Sequence, residues 1–398
     1  MVEPLAGKKL LLLVNDAGFF LSHRLPLALG AQAAGMEVII ATAADPLAEQ
    51  VRASGLQFAP LPLSRSGRNP LQEARLFAAL LALYRRHRPD VAHHVTIKPV
   101  LYGGLAARLL RLPAVVSAVS GLGYVFISQG RLAALRRRAV VSLYRLALGG
   151  AGHRVIFQNP DDRAAFESAS LLRSGSAVLL PGGSGVDLRR FRPQPEPDGD
   201  VLVVLPARML WDKGVGEFVE AARILRGRGI KARFQLAGGF DPANPAAIAE
   251  AQLRAWQAEG VIEWLGHCSD MPAVYAGANI VCLPSYREGL PKALIEAAAC
   301  GRALVATDVP GCREICRHQV NGLLAPVREA AGLAGALGRL IEDTALRASY
   351  GLAGRRIAEA EYGVDAVVAR TLDLYRDLLA RDAAAKLPAK KPNQQECK

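Results

Sequence analysis

Two glutamates eight positions apart, Glu288 and Glu296, are the strongest candidates in this sequence for binding a polar ligand. Glu288 lies in a loop after an apolar run, and Pro291 is expected in the first turn of the helix that follows. The backbone N–H groups of Gly289 and Leu290 then form an anion site at the helix N-terminus. Glu296, in the second turn, would accept hydrogen bonds from sugar hydroxyl groups. The alternative interpretation is a helix with two solvated glutamates.

Two cations stand where a second strand ends and the next helix begins. Arg208 follows the apolar run 201–207, and Lys213 precedes Gly214 at the start of the helix. Cations at these positions suit a diphosphate, whose charge an enzyme must neutralise as the group leaves. Taken alone, such residues are more often surface charges.

Short apolar strands alternate with longer amphipathic helices in two series. The first series has predicted strands at 9–14, 37–43, 91–94 and 114–118, and helices at 21–35, 46–55, 71–88 and 100–111. The second has strands at 201–207, 232–237, 262–264, 279–283, 303–307 and 322–325, and helices at 215–226, 246–258, 271–276 and 291–299. This alternation predicts an α/β protein with doubly wound parallel sheets covered on both faces.

The Pro- and Gly-rich stretch 181–200 separates the two series. We therefore predict a first domain over 1–183, a linker over 184–200 and a second domain over 201–363, with a ligand cleft at the carboxyl ends of both sheets. A final helix, 364–382, has no strand after it and should pack back toward the first domain. The Lys-rich residues 383–398 are predicted to be a disordered tail.

The Glu288-x7-Glu296 pattern, with Arg208 and Lys213-Gly214 before it, resembles the retaining nucleotide-sugar glycosyltransferases of family 4. These enzymes have the GT-B fold, in which two Rossmann-like domains face a cleft. The likeness covers most of the chain and includes Gly185-Val186-Asp187, Phe191, Gly266-His267, Met271, Pro284-Ser285, Ala306-Thr307-Asp308, Pro310-Gly311, Glu314 and Asn321-Gly322-Leu323.

The resemblance implies a role for each matching residue. Arg208 and Lys213 would hold the diphosphate of the donor, and Glu296 the ribose hydroxyls. Glu288 would contact the donor sugar, and the Gly289 and Leu290 amides would cap the phosphates. Retention of configuration would follow from a same-face displacement in which the leaving phosphate helps to deprotonate the acceptor. Catalysis then depends on charge stabilisation and positioning.

The first-domain segments 15–27, 94–99 and 120–125 are similar to bacterial transferases that act on lipid-linked sugars. Those include enzymes that add an N-acetylhexosamine in O-antigen or glycoprotein assembly. The resemblance therefore implies a UDP-sugar donor and a polyprenyl-diphosphate-linked acceptor.

One departure from the family concerns a histidine. Several members have one after the fifth strand of the first domain, where this chain reads Ala118-Val-Ser-Gly121. His94 and His23 are the available substitutes, with His94 the candidate catalytic residue, and Asn15, His23 and Lys98 are candidates on the acceptor side. A lone histidine is more often structural than catalytic.

No metal or cofactor is predicted. Asp198-Gly199-Asp200 has the Asp-x-Asp pattern of metal-dependent transferases, but it lies in the linker and reads as solvated. Cys312 and Cys316 have no matching second pair, and the six cysteines do not form a disulfide framework. Family 4 members typically work without a bound metal.

Charge and hydropathy indicate the cellular location of the protein. The net charge is +13, and residues 1–186 hold 21 Lys and Arg against 10 Asp and Glu. No apolar stretch is long enough to span a bilayer, and no signal peptide is recognisable. Arginines interleaved with apolar residues over 131–146 favour a helix in a membrane interface, although a helix packed on its own domain fits nearly as well. We expect a cytoplasmic enzyme, peripheral at the inner membrane.

Two other functions remain open from sequence. One is a nucleotide-sugar epimerase or hydrolase on the same fold, for which no acid/base residues are evident. The other is a non-catalytic basic module that binds lipid or nucleic acid. The basic stretch lacks interleaved aromatic residues, and the second domain is nearly neutral, so no nucleic-acid partner is predicted.

Overall fold

A computed structural model describes residues 4–63, 69–119, 131–242 and 244–386, with the backbone alone for 131–139. Two fully parallel sheets organise them. The first has seven strands in the order β3-β2-β1-β4-β5-β6-β7, and the second has six in the order β10-β9-β8-β11-β12-β13. Two doubly wound α/β sheets, as the sequence predicts, are therefore confirmed.

The strands of the first sheet are β1 (Lys9–Leu13), β2 (Glu37–Ala43), β3 (Gln57–Leu61), β4 (Val91–Val95), β5 (Ala114–Val119), β6 (His153–Phe157) and β7 (Ala177–Leu179). Those of the second are β8 (Leu202–Pro206), β9 (Arg233–Ala237), β10 (Glu263–Gly266), β11 (Ile280–Leu283), β12 (Ala303–Thr307) and β13 (Gly322–Ala325). Strands β8 and β12 are buried at every residue and β1 at every residue except Lys9, which is why these central strands form continuous apolar runs in the sequence.

The α-helices cover both faces of the two sheets. They are α1 (Ala17–His23), α2 (Leu25–Ala33), α3 (Ala48–Ala53), α4 (Pro70–His87), α5 (Gly104–Leu109), α6 (Arg131–Leu148), α7 (Pro160–Ser168), α8 (Val215–Gly227), α9 (Glu250–Ala258), α10 (Met271–Ala276), α11 (Lys292–Ala299), α12 (Cys312–Ile315), α13 (Ala330–Glu342), α14 (Thr344–Ile357) and α15 (Val364–Lys386). π-Helical turns at Pro99–Gly103 and Ala358–Tyr362 precede α5 and α15.

Two helix predictions differ from the structure near the cleft. The helix predicted over 21–35 is two helices, because the backbone leaves the helical region at Arg24; the second helix starts at Leu25, with Pro26 in its first turn. Pro291 adopts an extended conformation and caps α11, which begins at Lys292 rather than at Pro291.

The last helix joins the two halves of the chain. Helix α15 starts beside the linker, where Val364 N–H donates to Val186 O, and its buried Leu372 and Tyr375 pack in the core of the first sheet. It continues to Lys386, four residues past the predicted end, and Lys386 pairs with Asp382 one turn earlier.

The basic stretch belongs to α6. The side chains of Arg131, Arg136, Arg137 and Arg138 lie outside the described part of the chain. Arg145 donates to the carbonyls of Ser170 and Ala169, so its guanidinium packs on its own domain. In the described residues, no helix combines the length and the apolar character that crossing a bilayer requires.

Candidate active site

The loop after β11 brings Glu288 to Lys213. Lys213 Nζ lies 2.6 Å from Glu288 Oε1, and the Ser285 hydroxyl donates to the same oxygen over 2.7 Å. The side chains of Lys213 and Glu288 are 20% and 13% exposed. The pair is thus partly desolvated, which strengthens its electrostatic attraction while leaving it open to a ligand.

Close backbone contacts fix Lys213 in this position. Gly214 has a φ of 71°, and a Cβ there would lie 2.1 Å from the Pro284 carbonyl oxygen. Tyr286 N–H also donates to Asp212 O over 2.9 Å. Only glycine permits both the left-handed backbone and this approach, so the two loops are packed against each other before any ligand binds.

Glu296 is buried one turn inside α11. Its carboxylate accepts from Tyr275 Oη at 3.2 Å and pairs with Lys292 Nζ at 3.0 Å. Burial, followed by the charge of Glu296, raises the pKa of Tyr275 well above its usual value, so the phenol stays a donor. The side chain of Glu296 is 8% exposed, and its orientation is set from both sides.

The amides of Gly289 and Leu290 stand between these two glutamates. Neither N–H donates to an acceptor in the described residues, so both remain available to a ligand. The backbone at Gly311 supports this turn closely, since a Cβ there would lie 2.5 Å from Gly289 O and 2.7 Å from Glu288 O. Unpaired backbone donors beside a lysine suit an anionic group.

Arg208 lies at the end of β8 but contacts a different partner. Its Nη1 is 2.7 Å from Asp241 Oδ2, and its side chain is 55% exposed. The structure therefore joins Lys213 with Glu288 in one contact and holds Arg208 in a separate, solvent-facing pair.

The first domain contacts the Glu288 loop through the start of α7. Arg287 Nη2 lies 2.7 Å from Asp162 Oδ1, and Asn159 Nδ2 donates to Gly289 O over 2.7 Å. Both Asn159 and Asp162 are buried. The sequence did not point to these two residues, nor to Tyr275 and Asp241. For Asn159 and Asp162, the only signal in the sequence was the Asn159-Pro160 helix-start pattern after an apolar run.

The acceptor-side candidates Asn15 and Lys98 follow two neighbouring strands, β1 and β4. The Asn15 Oδ1 atom is buried and has no hydrogen-bond partner in the described residues. Lys98 Nζ forms an ion pair with Glu73 at 2.7 Å, and both side chains are largely buried. Both candidates therefore lie at the edge of the first sheet that borders the cleft.

His94, the candidate catalytic histidine, lies in the interior of the first sheet. His94 is fully buried in β4, and its Nε2 is 2.7 Å from the hydroxyl of Tyr84 on α4. Burial, with His153 and His93 nearby, holds the pKa of His94 well below its usual value. Its Nδ1 is buried without a hydrogen-bond partner in the described residues, and a catalytic role for His94 stays a prediction.

His23 ends α1 on the cleft side. Its ring stacks on Phe19 at 4.2 Å, and Nδ1 lies 2.7 Å from the Ser22 hydroxyl. Burial, with the charges of Arg24 and Lys292, lowers the pKa of His23 to about 3.

No cluster of three or more His, Cys, Asp or Glu side chains within the described ranges could hold a metal ion. Cys268, Cys282, Cys300, Cys312 and Cys316 are unpaired thiols. Lys213 Nζ is the cation in contact with Glu288.

Two family descriptions match the two halves of the chain. Residues 9–159 match "Glycosyl transferase 4-like", and residues 200–343 match "Glycosyl transferases group 1". The chain is 31% identical over 377 residues to N,N'-diacetylbacillosaminyl-diphospho-undecaprenol alpha-1,3-N-acetylgalactosaminyltransferase of Campylobacter jejuni, covering 91% of this chain and 97% of that protein. It is 19% identical to the capsular polysaccharide biosynthesis glycosyltransferase CapM of Staphylococcus aureus, over 75% and 80% of the two chains.

Solved structures share the fold. Sucrose-phosphate synthase from Thermosynechococcus elongatus superposes with a TM-score of 0.78 at 23% identity, covering 94% of this chain and 100% of that one. The Anabaena protein HepE, solved with UDP and glucose, superposes with a TM-score of 0.72 at 18% identity, covering 96% and 100%. At these identities the likeness shows the two-domain GT-B fold.

Proposed function

Since this chain belongs to the group 1, family 4-like glycosyltransferases, we propose that it transfers an N-acetylhexosamine from a UDP-sugar to a saccharide carried on a polyprenyl diphosphate. The observation that carries the proposal is the Lys213–Glu288 pair beside the unpaired amides of Gly289 and Leu290. The donor and acceptor classes are supported by the Campylobacter relative, which the chain covers almost from end to end.

In this proposal, different residues of the second domain bind different parts of the donor. Lys213, aided by the exposed guanidinium of Arg208, balances the charge of the departing diphosphate. The amides of Gly289 and Leu290 donate to its oxygens, and Glu296 accepts from the ribose hydroxyls. Glu288 meets the donor sugar and keeps the Lys213 ammonium in place. Fixed donors in a partly dry site stabilise developing charge at little reorganisation cost.

The reaction proposed is a same-face displacement with retention. The acceptor hydroxyl forms the new bond to the anomeric carbon as the bond to the UDP oxygen breaks, and the departing phosphate oxygen takes the hydroxyl proton. No nucleophile from the protein is required, and Asn15, His23 and Lys98 are proposed to orient the acceptor. We propose that the step runs without a metal ion, because the chain itself supplies the cations.

We also propose that the basic first domain rests on an anionic membrane surface, where the lipid-linked acceptor is found. Its excess of cations would attract acidic headgroups, each contributing on the order of 1 kcal/mol near the surface.

The test starts with donor recognition. Purified protein is titrated calorimetrically with UDP, GDP, UDP-GlcNAc and UDP-GalNAc, with and without magnesium. We expect UDP to bind and GDP not to bind. The affinity for UDP should be the same with magnesium and with a chelator. Product formation is then followed with a diphosphate-linked saccharide in vesicles. Absence of UDP binding, or hydrolysis of the donor without transfer to the saccharide, would overturn the proposal.

A further inference from the structure

We propose that Asn159 and Asp162, residues of the first domain, are positioning residues that hold the donor-binding loop of the second domain in its binding geometry. The inference rests on the proposed function only in taking the loop's ligand to be UDP. It adds a requirement that family likeness does not supply: donor affinity should depend on side chains outside the donor domain.

The first contact is an ion pair between a buried carboxylate and a partly exposed arginine. Asp162 Oδ1 lies 2.7 Å from Arg287 Nη2, and the Asp162 side chain is 2% exposed. The other carboxylate oxygen accepts from Asn159 Nδ2 over 2.9 Å, so both oxygens are used. A carboxylate removed from water in this way is costly to leave unpaired, and Arg287 is therefore held firmly next to Glu288.

The second contact acts on a single peptide group. Asn159 Nδ2 also donates to Gly289 O over 2.7 Å. The Gly289 carbonyl and the Leu290 N–H belong to one planar trans peptide, in which the two bonds point in opposite directions. Fixing the carbonyl therefore fixes the direction of the Leu290 N–H, one of the two amides proposed to bind the donor phosphates.

Asn159 can serve both domains because its amide has two ends. Its Oδ1 accepts from Asp162 N–H over 2.7 Å and caps α7, while its Nδ2 faces the carbonyl of Gly289. Asn159 is fully buried, so these partners cannot be exchanged for water without cost. The cap of one helix in the first domain thereby becomes the support of a loop in the second.

A neighbouring pair provides a built-in comparison. Arg313 Nη1 lies 3.4 Å from Asp161 Oδ2, one residue before Asp162, and these side chains are 39% and 47% exposed. This pair also joins the two domains but does not touch the 288–290 loop. Exposed pairs of this kind contribute little, so the Arg313 pair should not control the donor site.

The experiment compares Asn159→Ser and Arg287→Met with matched controls. Serine still caps α7 but is too short to donate to Gly289 O. The control for the cap is Asn69→Ser at the start of α4, and the control for the ion pair is Arg313→Met. Full-length proteins are examined by hydrogen exchange of the segment 285–291 without ligand, and by calorimetric titration with UDP.

We expect exchange in this segment to be faster in both test variants, and UDP affinity to fall about tenfold, as for loss of a hydrogen bond between buried groups. The two controls should stay within about twofold of the wild type. In the double variant Asn159→Ser/Arg287→Met, the fold-loss of UDP affinity should be smaller than the product of the two single losses, because both contacts hold one loop.

The outcomes separate this inference from the proposed function. If wild-type protein does not bind UDP, the proposed function fails, while hydrogen exchange still decides whether Asn159 and Arg287 hold the loop. If exchange and UDP affinity of Asn159→Ser and Arg287→Met match those of the controls, the inference is overturned and the proposed function stands.

Discussion

Lys213 and Glu288 are 75 residues apart in sequence, yet Nζ of the first lies 2.6 Å from Oε1 of the second. The topology of the second sheet explains the contact. Strands β8 and β11 are neighbours in the parallel order, so the loops that follow them leave the same edge side by side. The close approach of Gly214 to the Pro284 carbonyl then brings the cation onto the carboxylate. Neither residue alone defines the site; their pairing does.

Replacing Lys213 with methionine should lower kcat by about two orders of magnitude or more, while UDP still binds. The departing diphosphate would lose a nearby cation, and removing one charge-stabilising group from an active site costs about 2.7–4 kcal/mol of barrier. Initial rates with a UDP-sugar and a lipid-linked acceptor measure the effect.

The matched control is Lys231→Met, an exposed lysine just before β9, at the amino edge of the same sheet. It should turn over like the wild type. Near-normal turnover of Lys213→Met, with unchanged thermal unfolding, would remove Lys213 from the charge-stabilising role.

Glu296→Gln should chiefly weaken UDP binding, by about 10- to 100-fold, because hydrogen bonds to a charged group contribute about 1.5–3 kcal/mol. Calorimetric titration gives the dissociation constant directly. Tyr275→Phe is the companion variant, since it removes the phenol donor to Glu296 but leaves the carboxylate. The loss of UDP affinity in Tyr275→Phe should be smaller than that in Glu296→Gln. An unchanged affinity in Glu296→Gln would exclude the ribose role.

Apolar patterning predicted the central strands well because each is buried on both faces. The bounds of β2 and β12 agree with the predicted runs 37–43 and 303–307. Strand β3 went unpredicted because Pro60 interrupts a short edge strand. Strand β6 was missed because it opens with His153 and Arg154, and the burial of His153 depends on the Ser117 hydroxyl of the adjacent strand.

Motif spacing identified Glu288, Glu296 and Lys213, since these residues lie at strand ends and a helix start. It could not identify the partners that orient them, because Tyr275, Asp162 and Asn159 come from other elements and approach only in the folded chain. The surroundings of His94 were unpredicted for the same reason. Its neutral, buried state depends on Tyr84 of α4, and no local pattern records that contact.

Gly311→Ala should weaken UDP binding by about tenfold or more. At a φ of 81° the new Cβ would meet the backbone oxygens of Gly289 and Glu288, and close-packed backbone cannot absorb such a clash without moving the loop. Gly335→Ala is the control, because a Cβ in that part of α13 has no neighbour within 4 Å. That variant should be up to about 1 kcal/mol more stable and should bind UDP normally. Normal UDP binding in Gly311→Ala would contradict the close support of the loop.

The buried histidines of the first sheet should make the protein less stable as the pH falls from 7 toward 5. Burial lowers the pKa of both His93 and His153 to about 3, whereas an unfolded imidazole titrates near 6.5. Below that value the unfolded chain binds protons that the folded chain excludes. The free energy of unfolding therefore decreases as the pH decreases, by up to about 1.4 kcal/mol per pH unit for each such histidine.

Urea titrations between pH 7 and pH 5 isolate the contribution of one residue. In His153→Gln the slope of unfolding free energy against pH should become shallower by about one proton. Ser117→Ala removes the hydroxyl that lies 2.9 Å from His153 Nε2 but keeps the imidazole, so it should lower stability and retain the wild-type slope. Equal slopes in wild type and His153→Gln would mean that His153 takes up its proton in the folded state, and the neutral histidine core would be wrong.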